Sequence, residues 1–137
     1  MNEPKQLITT WVNFSKYHDR ISSALNHALQ ERYQLALKEF YALMFLSQSE
    51  DKKLRLSQLQ KMVGLSQSAM SRLVSRLETH NFHAVERLAY EGDKRGVFII
   101  LTPDGEQQIT NIIKEVNELL SESISEKDII NINKLTD

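Results

Sequence analysis

Apolar residues return every three or four positions near the start of this chain: Leu7, Trp11, Phe14, Tyr17, Ile21, Leu25 and Leu29. That spacing predicts a long helix, from Leu7 to about Leu29, with a single apolar stripe. A helix of that kind packs partly on its own domain and partly on a partner chain. A second helix, from about Ala36 to Ser49, carries Leu37, Phe40, Tyr41, Met44, Phe45 and Leu46 on more than one side, which predicts a central place in the core. The polar stretch Gln48 to Lys53 then reads as a loop, and Leu54-Arg55-Leu56 as a short strand.

Two short helices follow. Ser57 with Gln60 three residues on suggests a capping box, Leu59, Met62 and Val63 face inward, and Gly64 stops the helix in the left-handed conformation. Ser66 caps the next helix, which runs to about His80 with Ala69, Leu73 and Leu77 on one face and Met70 and Val74 at its edge. Helices of this length joined by Val63-Gly64-Leu65-Ser66 make a helix-turn-helix. Beyond Asn81-Phe82, strand-like runs at His83 to Tyr90 and Val97 to Leu101 flank the polar tip 91–96, which predicts a β-hairpin. Thr102 and Pro103 then start a helix whose stripe of Ile109, Ile112, Ile113, Val116, Leu119, Leu120 and Ile124 extends to about Ser123. A last helix, Glu126 to Leu135, carries Ile129, Ile130 and Ile132. The stripes on the two long outer helices exceed what a small helical core can cover, so they are expected to cover each other across a twofold axis.

Composition supports a mainly α fold with a small β-hairpin wing: only four glycines and two prolines occur in 137 residues. That length suits one domain. With no cysteine, disulfides, thiolate catalysis, thiolate metal sites and direct thiol sensing are excluded. No apolar run approaches the roughly 20 residues that span a bilayer, and no leader-like run follows Met1, so a soluble cytoplasmic protein is expected.

The net charge of −1 hides an uneven distribution. Residues 52–95 hold nine basic and four acidic side chains, whereas residues 96–137 hold three and eight. A basic middle between acidic flanks is the footprint of a chain that meets phosphate with one part only. Within it, the exposed face of the helix after Ser66 would show Gln67, Ser68, Ser71, Arg72, Ser75 and Arg76, with no acid before Glu78. An ordinary solvated face mixes glutamate with lysine; this one suits the major groove, where arginine forks onto guanine and glutamine pairs with adenine. At the hairpin tip, Arg95 suits a narrow minor groove and Lys94 a phosphate, while Asp93 either holds Arg95 in place or merely shapes the turn. Alone, the tip is a charged turn; beside a helix-turn-helix it becomes a probe.

These residues carry a resemblance. Gly64-Leu65-Ser66-Gln67-Ser68, Ser71-Arg72-Leu73, Leu77-Glu78, the wing Asp93-Lys94-Arg95-Gly96 and Leu101-Thr102-Pro103-Asp104-Gly105 resemble the MarR (multiple antibiotic resistance regulator) family of bacterial transcription factors, as do helix order and lengths. The resemblance implies a winged helix-turn-helix with long N- and C-terminal dimerisation helices (1–35 and 103–137) around a DNA-binding lobe (36–102). It implies a homodimeric regulator, a repressor in the main, on a pseudo-palindromic operator. On that pattern the helix from Ser66 enters the major groove and Arg95 the minor groove. A small anionic or phenolic effector would bind between the dimerisation helices and the lobe and release DNA. The pocket candidates are Trp11, Phe14, His18, Tyr41 and Phe45, residues equally well explained as core and interface. Asn81-Phe82 replaces the family's usual Gly-Leu or Gly-Tyr, and Asn81 tolerates the left-handed conformation.

Three rivals weigh less. A winged-helix module that binds protein instead of DNA is the nearest. An enzyme needs clustered titratable groups or a phosphate loop, and neither is visible. A metal sensor would have only His80-x-x-His83 at ligand spacing among His18, His27, His80 and His83. Neither a cofactor nor a metal is expected.

Overall fold

The computed structural model describes residues 3–89 and 96–136. Six helices, α1 (Pro4–Tyr33), α2 (Leu37–Gln48), α3 (Leu56–Val63), α4 (Gln67–Glu78), α5 (Pro103–Ser123) and α6 (Glu126–Thr136), combine with three short strands, β1 (Lys53–Arg55), β2 (Val85–Ala89) and β3 (Val97–Leu101). The chain divides into two compact units, Met1–Leu35 with Val116–Asp137, and Ala36–Glu115, so the division falls inside α5.

The second unit holds the helix-turn-helix and the sheet. β3 lies in the middle of an antiparallel sheet of order β1-β3-β2, with Leu54 opposite Ile99 on one side and Arg87 opposite Ile99 on the other. The short strand thus makes a third member of what the pattern suggested as a hairpin. Leu43, Leu46, Leu59, Met70, Leu73, Val74, Leu77, Ile99, Ile109 and Ile112 are at most 1% exposed and form its core. Met70 and Val74, expected at the edge of α4, are fully buried, and Ala69 is only half-buried. The apolar face is therefore rotated toward Met70 and Val74.

Helix ends follow local chemistry, with two corrections. Gly64 closes α3 at φ 83°, as its freedom at positive φ allows. α3 begins two residues earlier than Ser57 suggested: Arg55 is the N-cap, and the Gln58 side chain accepts its backbone N–H at 3.0 Å. Ser57 sits inside the first turn because the β1 pairing ends at Arg55 and the helix follows at once. The second correction concerns the turn after α4. His83, not Asn81, takes the left-handed backbone (φ 44°). Its N–H reaches the His80 carbonyl at 2.7 Å and its Nδ1 lies 2.7 Å from the Glu78 carbonyl, which holds the loop in that shape.

In the first unit α1 spans 30 residues, and its stripe divides in two. Ile21, Leu25 and Leu29 are buried, whereas Leu7 and Trp11 are about two-thirds exposed (66% and 65%) and Phe14 is 47% exposed. On α6, Ile129, Ile130 and Leu135 are likewise exposed. The Tyr17 hydroxyl donates to Asp128 at 3.1 Å and ties α1 to α6 beside a cavity of about 360 Å³ lined by Phe14, Asn131, Ile132 and Leu135. Lost hydration, then the Asp128 hydrogen bond and charge, raise the Tyr17 phenol above its ordinary value, with Arg20 opposing. No described helix is long and apolar enough to cross a membrane.

Candidate nucleic-acid interface

Three polar contacts set the helix-turn-helix and its junctions with α2 and α5. Ser66 caps α4, its hydroxyl accepting the Ala69 N–H at 3.2 Å, as the sequence pattern predicts. The N-terminus of α2 is tied to α4 through Glu39, a 5% exposed carboxylate. One of its oxygens accepts the Ala36 N–H at 2.6 Å and the other accepts Arg76 Nε at 3.2 Å. A buried carboxylate needs such partners, and Arg76 neutralises it. The third is made by Thr102, which caps α5 by accepting the Gly105 N–H at 2.9 Å and donates to the His83 carbonyl at 2.7 Å. It anchors α5 to the turn that begins the wing.

Ser66, Gln67, Ser68, Arg72, Ser75 and Arg76 are all exposed, and Ser71 is partly covered. No acidic side chain interrupts this strip before Glu78. Its members differ in freedom, however. Arg76 is committed to Glu39, although its side chain stays 58% exposed. Ser71 and Ser75 face a residue that the sequence pattern did not single out, Arg87 on β2. Arg87 Nη2 donates to the Ser71 carbonyl at 2.6 Å and to the Ser75 hydroxyl at 2.9 Å, and its Nε lies 2.9 Å from the Glu78 carboxylate. The available signal was the i, i+4, i+7 spacing of Ser71, Ser75 and Glu78, which puts all three on one strip of a helix. Gln67, Ser68 and Arg72 project from the first two turns of α4.

The wing-tip candidates Asp93, Lys94 and Arg95 lie outside the described residues. The strands on either side of them are paired from Val85 opposite Leu101 to Ala89 opposite Val97. Of the effector candidates, Trp11, Phe14 and His18 belong to the first unit and are exposed, while Tyr41 and Phe45 belong to the second and are half-buried. Burial raises the Tyr41 phenol above its ordinary value, so it is a neutral donor at physiological pH. A separate cavity of about 270 Å³ opens beside α4, with Ala36, Leu65, Ala69 and Leu73 as its apolar part and Lys38, Arg72 and Arg76 as its basic part. No group of three or more metal-ligating side chains occurs among the described residues.

An N-capped helix-turn-helix followed by an antiparallel wing sheet defines a winged-helix transcriptional regulator. Residues 24–112 match the model of the transcriptional regulator SarA/Rot family, and the chain belongs to that family. Solved structures agree on the fold. It is similar to Sco3205, a MarR family transcriptional regulator from Streptomyces coelicolor in complex with DNA, at TM-score 0.85 and 20% identity over 99% of this chain and 86% of that one. It is also similar to AbsC, a MarR family regulator from the same organism, at TM-score 0.83 and 22% identity over 98% and 91% of the two chains. A MarR mutant from E. coli complexed with operator DNA gives TM-score 0.74 and 19% identity over 99% and 96%. The comparison with curated proteins returned no match. Family and fold are those of transcriptional regulators, not of enzymes.

Proposed function

We propose that this regulator binds duplex DNA as a homodimer, with α4 in the major groove and the wing in the minor groove, and that it acts as a repressor on a pseudo-palindromic operator. The observation that carries the proposal is the exposed, acid-free strip of α4 inside a basic segment. Gln67, Ser68 and Arg72 are the base readers, because they project from the first two turns of α4 and Ser68 meets only its neighbour Ser66, at 3.4 Å. Ser66 and Arg76 sit at the margins, within reach of phosphate, and Arg95 with Lys94 complete the interface from the wing, with Asp93 positioning Arg95. Ser71 and Ser75 contribute mainly through Arg87. Half-sites lie about one helical turn apart, roughly 10 bp, so that two recognition helices occupy successive major grooves.

The exposed apolar strip of Leu7, Trp11 and Phe14 on α1, with that of α6, supports the dimer, since such a strip on a soluble chain is covered by a partner. The basic rim of the cavity beside α4, formed by Lys38 and Arg72, supports an anionic effector there, in addition to the candidates Trp11, Phe14, His18, Tyr41 and Phe45, and its charge would compete with DNA for Arg72. Such a ligand shifts the population toward a form that binds DNA less well, by its difference in affinity for the two.

Arg72→Ala tests the strip without disturbing the buried Glu39, which Arg76→Ala would leave unpaired. Arg72→Ala and Arg95→Ala are each expected to lose about 1–3 kcal/mol of affinity for a duplex from the regulator's own promoter. Fluorescence anisotropy measures this. Unchanged affinity in both variants would remove the proposed interface.

A further inference from the structure

Ser71, Ser75 and Glu78 form one strip of α4, and a single guanidinium from β2 lies along it. Besides its two Nη2 hydrogen bonds, Arg87 places Nη1 3.4 Å from the Ser71 hydroxyl and Nε 2.9 Å from the Glu78 carboxylate. The Arg87 and Glu78 side chains are only 30% and 32% exposed, so the pair is shielded over most of its surface. Ser75 uses its own hydroxyl proton on the Ser71 carbonyl at 3.1 Å, which leaves its oxygen lone pairs for Arg87. Both Nη2 protons are so committed, and Nε is buried against Glu78 as a charge contact without a hydrogen bond, so neither nitrogen is open to a phosphate. The planar fork fixes both the distance and the angle between strand and helix, which the point charge of a lysine cannot do.

We propose that Arg87 is a positioning residue that locks the first wing strand to the recognition helix, so that both groove-facing elements reach DNA as one preset unit. The serine hydroxyls of Ser71 and Ser75 serve this lock instead of reading bases. This inference rests on the DNA-binding reading above. Its physical basis is preorganisation: a wing free to pivot must be ordered during binding, and that ordering weakens affinity.

The experiment is a double-mutant cycle on the full chain with Arg87→Lys, Ser75→Ala and both together, read by anisotropy on promoter DNA. Arg87→Lys keeps the charge but loses the fork, and is expected to weaken binding about ten-fold, with the salt slope of the parent retained. Ser75→Ala is expected to cost roughly three-fold alone and almost nothing in the Lys background, because coupled sites are not additive. Binding of Arg87→Lys within two-fold of the parent would overturn the proposal, since it would mean that charge alone, which lysine supplies as a point charge, accounts for the role of Arg87. Effects that simply multiply would overturn it too. If the parent itself shows no salt-sensitive binding, the DNA reading fails, and the same cycle in urea midpoints still decides the lock. Coupling there keeps Arg87 as the link between strand and helix; additivity removes it.

Discussion

Replacing Gly105 with alanine is expected to lower stability by about 3 kcal/mol, or roughly 10 °C in the thermal midpoint of a chain this size. Gly105 stands in the first turn of α5, where an added Cβ would lie 2.3 Å from the Ala84 carbonyl oxygen and 2.9 Å from Leu101 Cδ1. The leucine tip can rotate away. The carbonyl cannot, because it accepts the Thr102 N–H at 3.0 Å while the Ala84 N–H donates to Leu77 at 3.2 Å. The helical gain of alanine over glycine, about 1 kcal/mol, does not offset such a clash. Because this junction joins the end of α4, the start of the wing and the cap of α5, DNA binding should fall with stability. Circular dichroism on heating decides: a midpoint within 2 °C of the parent, on the scale of roughly 3–5 °C per kcal/mol, would mean that the junction yields cheaply.

The second large effect concerns assembly. Trp11→Asp is expected to weaken the proposed homodimer by about 2 kcal/mol or more, as loss of an aromatic anchor does, and to leave a monomer at micromolar concentration. Trp11 is 65% exposed in the single chain and lies 6.1 Å from Phe14 between ring centroids, so the two rings present one apolar surface. An aspartate there would have to be buried without a partner. Light scattering after size exclusion should give twice the chain mass for the parent and the chain mass for the variant. A monomeric parent, or a variant that stays dimeric, would move the interface elsewhere. On the proposed reading, in which each protomer contributes one recognition helix, loss of the dimer should also abolish tight DNA binding.

The strongly periodic parts of the fold were legible from the residues. The α1 and α5 stripes, the existence of α4, the Gly64 stop, the Ser66 and Thr102 caps and the β3 run all follow from local spacing and cap chemistry. Boundaries set by pairing were not. Ser57 looked like a cap, but β1 ends against β3 at Arg55, and that long-range pairing moved the helix start. The rotation of the α4 core face toward Met70 and Val74 likewise depends on what the helix packs against.

The site divides in the same way. Its basic, acid-free face can be read along one helix because those residues are neighbours in sequence. Two contacts that change its meaning span 37 and 16 residues: Arg76 to Glu39, and Arg87 to Ser71. Helical periodicity carries no information about either partner. Arg76 looked free and is tied to a buried carboxylate; Ser71 and Ser75 looked groove-facing and hold an arginine.

The central claim is that α4 and the wing of this regulator meet duplex DNA. Its most direct test is the affinity of the unmodified protein for a labelled duplex from its own promoter, measured by anisotropy from low to high salt. The account predicts binding that weakens steeply and linearly in log–log form as salt rises, with a slope set by the phosphates neutralised, and clear preference over a scrambled duplex. Absence of salt-sensitive binding to any duplex would contradict it.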